Sequence, residues 1–132
     1  MTDCVFCNIE ALEIVAENKL ALAFYDACPV SKGHILVIPK RHVENYFDAS
    51  PEEHNAISRL IFRARQYLDK KYSPDAYNIG ANVGRDAGQT VFHFHVHIIP
   101  RYRGDVKDPR GGIRKIIPLR SSHLACNKTA LH

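Results

Sequence analysis

No apolar run in the 132-residue sequence approaches the length needed to span a bilayer. A membrane partner is therefore not expected. The first residues, Met-Thr-Asp-Cys-Val-Phe-Cys, have no basic region followed by an apolar stretch, so no secretory signal is read and a cytoplasmic location is expected. Cysteine is scarce, with four residues, and in a chain without an export signal these do not form a disulfide framework. Internal repeats, low-complexity tracts and interdomain linkers are also missing. The length gives one domain with one core, and 45% hydrophobic against 24% charged residues excludes a disordered chain.

The net charge is +4, but it is unevenly placed. Residues 101–120 hold seven basic and two acidic residues, a net +5, which leaves the remainder at −1. Such a local excess points to an anionic partner at one place rather than to a surface coating nucleic acid, and no stable nucleic-acid partner is expected. Ile14–Glu17, Leu20–Tyr25, Ile35–Ile38, Ala76–Val83 and Val91–Ile99 read as strands, with Pro39 and Pro100 as terminators. Ser50-Pro51-Glu52-Glu53 is a helix start with a cap, a proline at the first position and the acid of a capping box. Ile57, Leu60, Ile61, Ala64 and Leu68 then keep helical spacing until Ser73-Pro74. Gly84–Gly88 reads as a turn, and Ile113–Ile117 as a short strand or extended arm. One helix among strands with short connections gives an α+β fold with a mostly antiparallel sheet.

Phe92-His93-Phe94-His95-Val96-His97-Ile98-Ile99-Pro100 is the richest segment. Alternation along a strand puts His93, His95 and His97 on one face, and Phe94, Val96 and Ile98 on the other. The outer two imidazoles are roughly 13 Å apart along a straight strand, so a single metal ion can use two of them but hardly three. Neutral imidazole is available at cytosolic pH and attacks phosphorus to give a phosphoramidate, provided its second nitrogen keeps a proton. Gly84–Thr90 is not a phosphate loop of the G-x-x-x-x-G-K-[ST] kind, since it has no lysine and precedes a strand. Cys4 and Cys7 form a C-x-x-C, which by itself fits redox chemistry, metal binding or neither.

His93-Phe94-His95-Val96-His97-Ile98-Ile99 resembles the histidine triad motif, His-φ-His-φ-His-φ-φ with φ apolar. Residues 24–42, from Phe24-Tyr25-Asp26 through His34-Ile35-Leu36-Val37-Ile38-Pro39-Lys40-Arg41-His42, resemble that family's N-terminal signature. Asn82-Val83-Gly84 and Ala87-Gly88-Gln89-Thr90-Val91 resemble its lead-in to the triad. The resemblance implies a histidine triad domain over residues 1–120, and residues 121–132, with little apolar content, read as a mobile tail. It also implies a homodimer with a shared sheet, and nucleotidyl hydrolase or transferase activity through a nucleotidyl-histidine. On this resemblance His95 is the nucleophile, His97 contacts the α-phosphate and His34 joins the imidazole network. Gln89, Thr90 and Asn82 would donate to phosphate, and Asp26 would accept from the ribose hydroxyls. The zinc-bearing branch of the family implies Cys4, Cys7, His42 and His93 as ligands of a structural zinc.

The chain has no tryptophan, whereas the phosphoramidase branch usually closes with a stretch containing one. Arg101-Tyr102-Arg103-Gly104-Asp105 and the segment after it resemble the diadenosine-polyphosphate hydrolase branch. Arg101, Arg103 or Arg114 would then reach the distal phosphates of an adenine dinucleotide, across the dimer if need be. A purine nucleoside phosphoramidase and a nucleotide-binding signalling module with little turnover are the alternatives.

Overall fold

A computed structural model describes residues 3–118; the tail at 121–132 lies outside them. Five strands form one antiparallel sheet: β1 (Ile14–Glu17), β2 (Ala21–Tyr25), β3 (Ile35–Pro39), β4 (Ala76–Gly80) and β5 (Val96–Arg101). Their order is β1-β2-β3-β5-β4, so the single long helix α1 (Pro51–Tyr72) carries the chain from the middle of the sheet to its edge. Among the described residues no helix is long and apolar enough to cross a membrane.

The start of α1 follows from local chemistry. Ser50 accepts from the Glu53 N–H and the Glu53 carboxylate accepts from the Ser50 N–H, a complete capping box over Pro51. Such a cap contributes about 1 kcal/mol. Ser73 ends the helix in the left-handed region at φ 51°. Ala56, Ile57, Leu60, Ala64 and Leu68 are buried against Ala21, Ala23, Ile35, Val37, Val96 and Ile98 of the sheet and against Phe94 just before β5. On the opposite face Leu22, Phe24, Leu36 and Ile38 form a second cluster under Phe6 and Leu12 of the N-terminal arm. The unbroken aliphatic run in β3 is explained by this double cover, since both of its faces are dry.

Three expected elements differ. β4 stops at Gly80 instead of continuing to Val83, and β5 begins at Val96, so the chain bends at His93 and brings His93 and His95 to the sheet without joining the ladder. Pro100 lies inside β5 instead of ending it. Here β3 pairs only as far as Ile35 with Ile98, and the Pro100 carbonyl, on the side away from β4, accepts from Ser31 Oγ at 2.7 Å. The missing N–H therefore costs no ladder bond. Residues Gly112–Ile116 form a 3-10 turn rather than a strand.

Candidate active site

The alternation read from the triad holds in space. Phe94, Val96 and Ile98 enter the core under α1, while His95 and His97 look onto a cavity of about 700 Å³ on the other side of the sheet. Register pairs His97 with Leu36, which puts it beside His34 at the entry of β3. His34 is 2% exposed and its Nδ1 accepts from the Val30 N–H at 3.1 Å. An acceptor nitrogen carries no proton, so the His34 proton sits on Nε2. That Nε2–H donates to His97 Nδ1 at 2.9 Å, with an Asp26 oxygen 3.4 Å away. His97 must then carry its own proton on Nε2. One backbone amide thus sets two tautomers in series. Burial holds His34 below the usual imidazole range, against the pull of Asp26. Burial, with His95 and His34 as neighbours, brings His97 down to about 4.

The middle imidazole has the opposite tautomer. His95 Nδ1 is 2.8 Å from the His93 carbonyl, which can only accept. His95 is therefore protonated on Nδ1 and keeps a lone pair on Nε2. The two rings on the cavity differ in role: His95 presents an electron pair and His97 presents a donor. A nucleophile and an adjacent donor for developing charge are what attack at phosphorus requires.

Phe6, Leu12, Phe24 and Leu36 form the apolar wall of the cavity, and Asp26, Asn82 and Thr90 line it together with His95 and His97. Asp26 is held in place by the Cys28 N–H on Oδ1 at 2.8 Å. Gln89 is not among the lining groups. It is 2% exposed, its amide donates to the carbonyls of Glu44 and Val91 at 2.7 and 3.1 Å, and its oxygen accepts from Gly84 N–H at 2.9 Å. Its side chain is fully engaged in folding the loop that presents Asn82 and Thr90. Arg101 and Arg103 are not brought to the cavity of this protomer either. Arg101 is four residues beyond His97, about 13 Å along the strand. It forks onto Asp105 at 2.8 and 2.9 Å and donates to Asn78 at 2.6 Å. Arg103 lines a separate groove with Asp75 and Tyr102, and Arg114 lies in the Gly112–Ile116 turn. The wall residues Phe6 and Leu12 escaped the reading of the sequence. The only signal for Phe6 was its position between the two cysteines.

Cys4, Cys7, His42 and His93 converge, with one ligand atom from each lying within 4.8 Å of the others. His93 Nε2 donates to the Pro39 carbonyl at 2.9 Å, so its Nδ1 lone pair faces the sulfurs. Nδ1 is 3.4 Å from Cys4 Sγ and 3.5 Å from Cys7 Sγ, and His42 Nδ1 is 3.3 Å from Cys7 Sγ. Zinc bonds of ~2.3 Å to sulfur and ~2.0 Å to nitrogen make a tetrahedral S···N edge of about 3.5 Å, so these residues fit such an ion. Burial and the neighbouring Cys4 push the Cys7 thiol up, and a cation between the two sulfurs reverses that. His42 is steadied by its neighbour Arg41, which pairs in a fork with the 4%-exposed Glu53 of the capping box at 2.8 and 3.0 Å. Asp26, His34 and His97 also cluster within 4.8 Å. They suit a metal less well, because the His34 nitrogen that would bind it carries the proton donated to His97.

Antiparallel sheet, single crossing helix and paired imidazoles of opposite tautomer on a nucleotide-sized cavity define a small phosphorus-directed enzyme fold. The HIT domain family matches residues 10–104, and the chain belongs to it. An adenosine 5'-monophosphoramidase of Schizosaccharomyces pombe is 42% identical, over 74% of this chain and 74% of its own. An asymmetrical bis(5'-nucleosyl)-tetraphosphatase of the same organism is 41% identical, over 73% of this chain and 53% of its own. Among solved structures, a zinc-bound histidine triad family protein of Mycobacterium smegmatis superposes with a TM-score of 0.72 at 35% identity, covering 78% of each chain. The family match includes His42 and His93 and leaves Cys4 and Cys7 outside it.

Proposed function

We propose that this HIT enzyme is a nucleotidyl hydrolase or transferase that cleaves a dinucleoside polyphosphate, such as diadenosine tetraphosphate, at the α-phosphorus. The observation that carries this is the 2.8 Å contact of His95 Nδ1 with the His93 carbonyl, which leaves Nε2 as the nucleophile. That lone pair attacks phosphorus. A P–N bond forms as the P–O bond to the departing nucleotide breaks, while His97 Nε2–H donates to the phosphate oxygens that gain charge. Water or inorganic phosphate then attacks the same phosphorus, and the P–N electron pair returns to His95. Asp26 accepts from the ribose hydroxyls, Asn82 and Thr90 donate to phosphate, and the Phe6, Leu12 and Phe24 wall takes the base. Gln89 supports the same loop from behind. A structural zinc is held by Cys4, Cys7, His42 and His93.

The tetraphosphatase relative and the net +5 segment favour a polyphosphate substrate. Because Arg101 lies about 13 Å along the strand from His97 and Arg103 lines a separate groove, they would act on the second cavity of a homodimer. Two features favour such a dimer: β4 is an unpaired edge of the sheet, and Ile79 on it and Phe62 on α1 are 45% and 72% exposed. The phosphoramidase relative favours a second reading, in which the leaving group is an amine.

Both readings share one test. Diadenosine tetraphosphate and adenosine phosphoramidate, each labelled at the α-phosphorus, are mixed with protein and quenched in base, where a phosphohistidine survives. Label should appear on the wild-type chain and not on His95→Ala. Product release from wild type with no labelled protein at any time would rule out the covalent route.

A further inference from the structure

The arm before β1 has an unusual attachment. Its hydrogen bonds Cys7 N–H to Cys4 O, Ala11 N–H to Asn8 O and Leu12 N–H to Ile9 O close residues 4–12 on themselves, and backbone bonding to the sheet begins at Glu13, whose carbonyl accepts from Tyr25 N–H at 3.1 Å. Packing of Phe6 and Leu12 and the Cys–His cluster tie it to the sheet. Phe6 lies between the two cysteines. Its ring stands edge-on to His95 at 5.2 Å and 81°, to Phe24 at 5.2 Å and 63°, and to His93 at 6.1 Å and 71°. The arm therefore brings one aromatic edge against the ring whose Nε2 must aim at phosphorus.

We propose that Phe6 is a positioning residue for the His95 ring, and that Cys4, Cys7, His42 and His93 keep it there by clasping the arm with a soft divalent cation. The inference rests on the function proposed above, but its structural half does not need turnover. The Nδ1–H bond to the His93 carbonyl is one fixed point for the His95 ring, and a single hydrogen bond leaves rotation about its axis open. The Phe6 edge removes that freedom and keeps Nε2 aimed into the cavity. The two sulfurs bracket Phe6, Cys4 two residues before it and Cys7 next after it, so a metal holding both fixes the backbone that carries the ring. His93 does not depend on the metal to the same degree, because Pro39 O holds its Nε2 and the Phe94 N–H bonds Val43 O at 2.8 Å. The arm is the part that loosens when the cluster is emptied, and Phe6 transmits the loosening to His95.

A double-mutant cycle tests this route. Phe6→Ala, Cys4→Ser and the double variant are prepared with zinc present. The readouts are metal content, the histidine ring signals in long-range proton–nitrogen spectra, and the rate of His95 labelling in a single turnover. Phe6→Ala should keep a full complement of zinc, shift the His95 ring signals and slow labelling about tenfold, with Phe6→Leu recovering most of the rate. Cys4→Ser should lose zinc and slow labelling to a similar extent. The double variant should be no slower than either parent, since the metal acts through the ring already removed. If the losses multiply to about a hundredfold, or if zinc removal leaves the His95 signals and rate in place, the coupling is refuted. Should Cys4→Ser not fold, a zinc chelator added to wild type and to Phe6→Ala makes the same comparison. Absence of any nucleotidyl-His95 on wild type would count against the proposed function alone, because the ring spectra still report whether metal and Phe6 fix His95.

Discussion

Replacing His34 with leucine removes the relay that sets the His97 tautomer and leaves the nucleophile intact. Leucine fills a similar volume at a position that is 2% exposed, so the core cost is small. The Val30 N–H, on an exposed loop residue, re-forms its bond with water. His97 Nδ1 has no such recourse in its half-buried place, and an unsatisfied buried acceptor costs about 1–3 kcal/mol. The ring escapes that cost by moving its proton to Nδ1 and donating to the Asp26 carboxylate, which lies in the same cluster, but then Nε2 meets the phosphate oxygens as a lone pair instead of a donor. That shift removes a transition-state interaction of about 1.4–2.8 kcal/mol, which corresponds to a fall in kcat of about 10- to 100-fold. KM should change by less than about threefold, since the nucleoside wall is untouched. Stopped-flow or quenched-flow turnover of diadenosine tetraphosphate measures both constants, and nitrogen spectra report the His97 tautomer. A kcat within twofold of wild type, with His97 still protonated at Nε2, would show that the series Val30, His34, His97 does not contribute to the chemistry.

Stability should depend on pH through His97. In the unfolded chain it binds a proton near pH 6.5, and in the folded protein only near 4, so its contribution is complete above pH 6.5 and is lost as pH falls through about 4. The span corresponds to about 3 kcal/mol. Urea unfolding of wild type and His97→Asn between pH 7 and 4 should show their difference shrinking as pH drops, and a flat difference would contradict the assignment. If Arg103 serves the distal phosphates of a partner's substrate, Arg103→Ala should raise KM for diadenosine tetraphosphate about tenfold and leave that for adenosine phosphoramidate within twofold. Equal changes on both substrates would exclude that role.

Sequence alone determined the helix and the sidedness of the triad. Both are set by short-range rules: a hydroxyl cap with its acid three residues on, a 3.6-residue apolar spacing, and a two-residue alternation. The grouping of Cys4, Cys7, His42 and His93 came from the family resemblance, since C-x-x-C alone left redox chemistry, metal binding or neither open, and the structure brings the four together. Only the tertiary structure decided which nitrogen of each histidine holds the proton, since that depends on which backbone group the folded chain sets against each ring, Val30 N–H in the loop before His34 and Pro39 O of another strand for His93. It also turned Gln89 inward onto Glu44 and carried Arg101 onto Asp105, placements governed by loop packing and strand register that no local pattern encodes. Finally, it laid Phe6 on His95, because a segment with no strand partners is located by what it packs against and not by its own propensities.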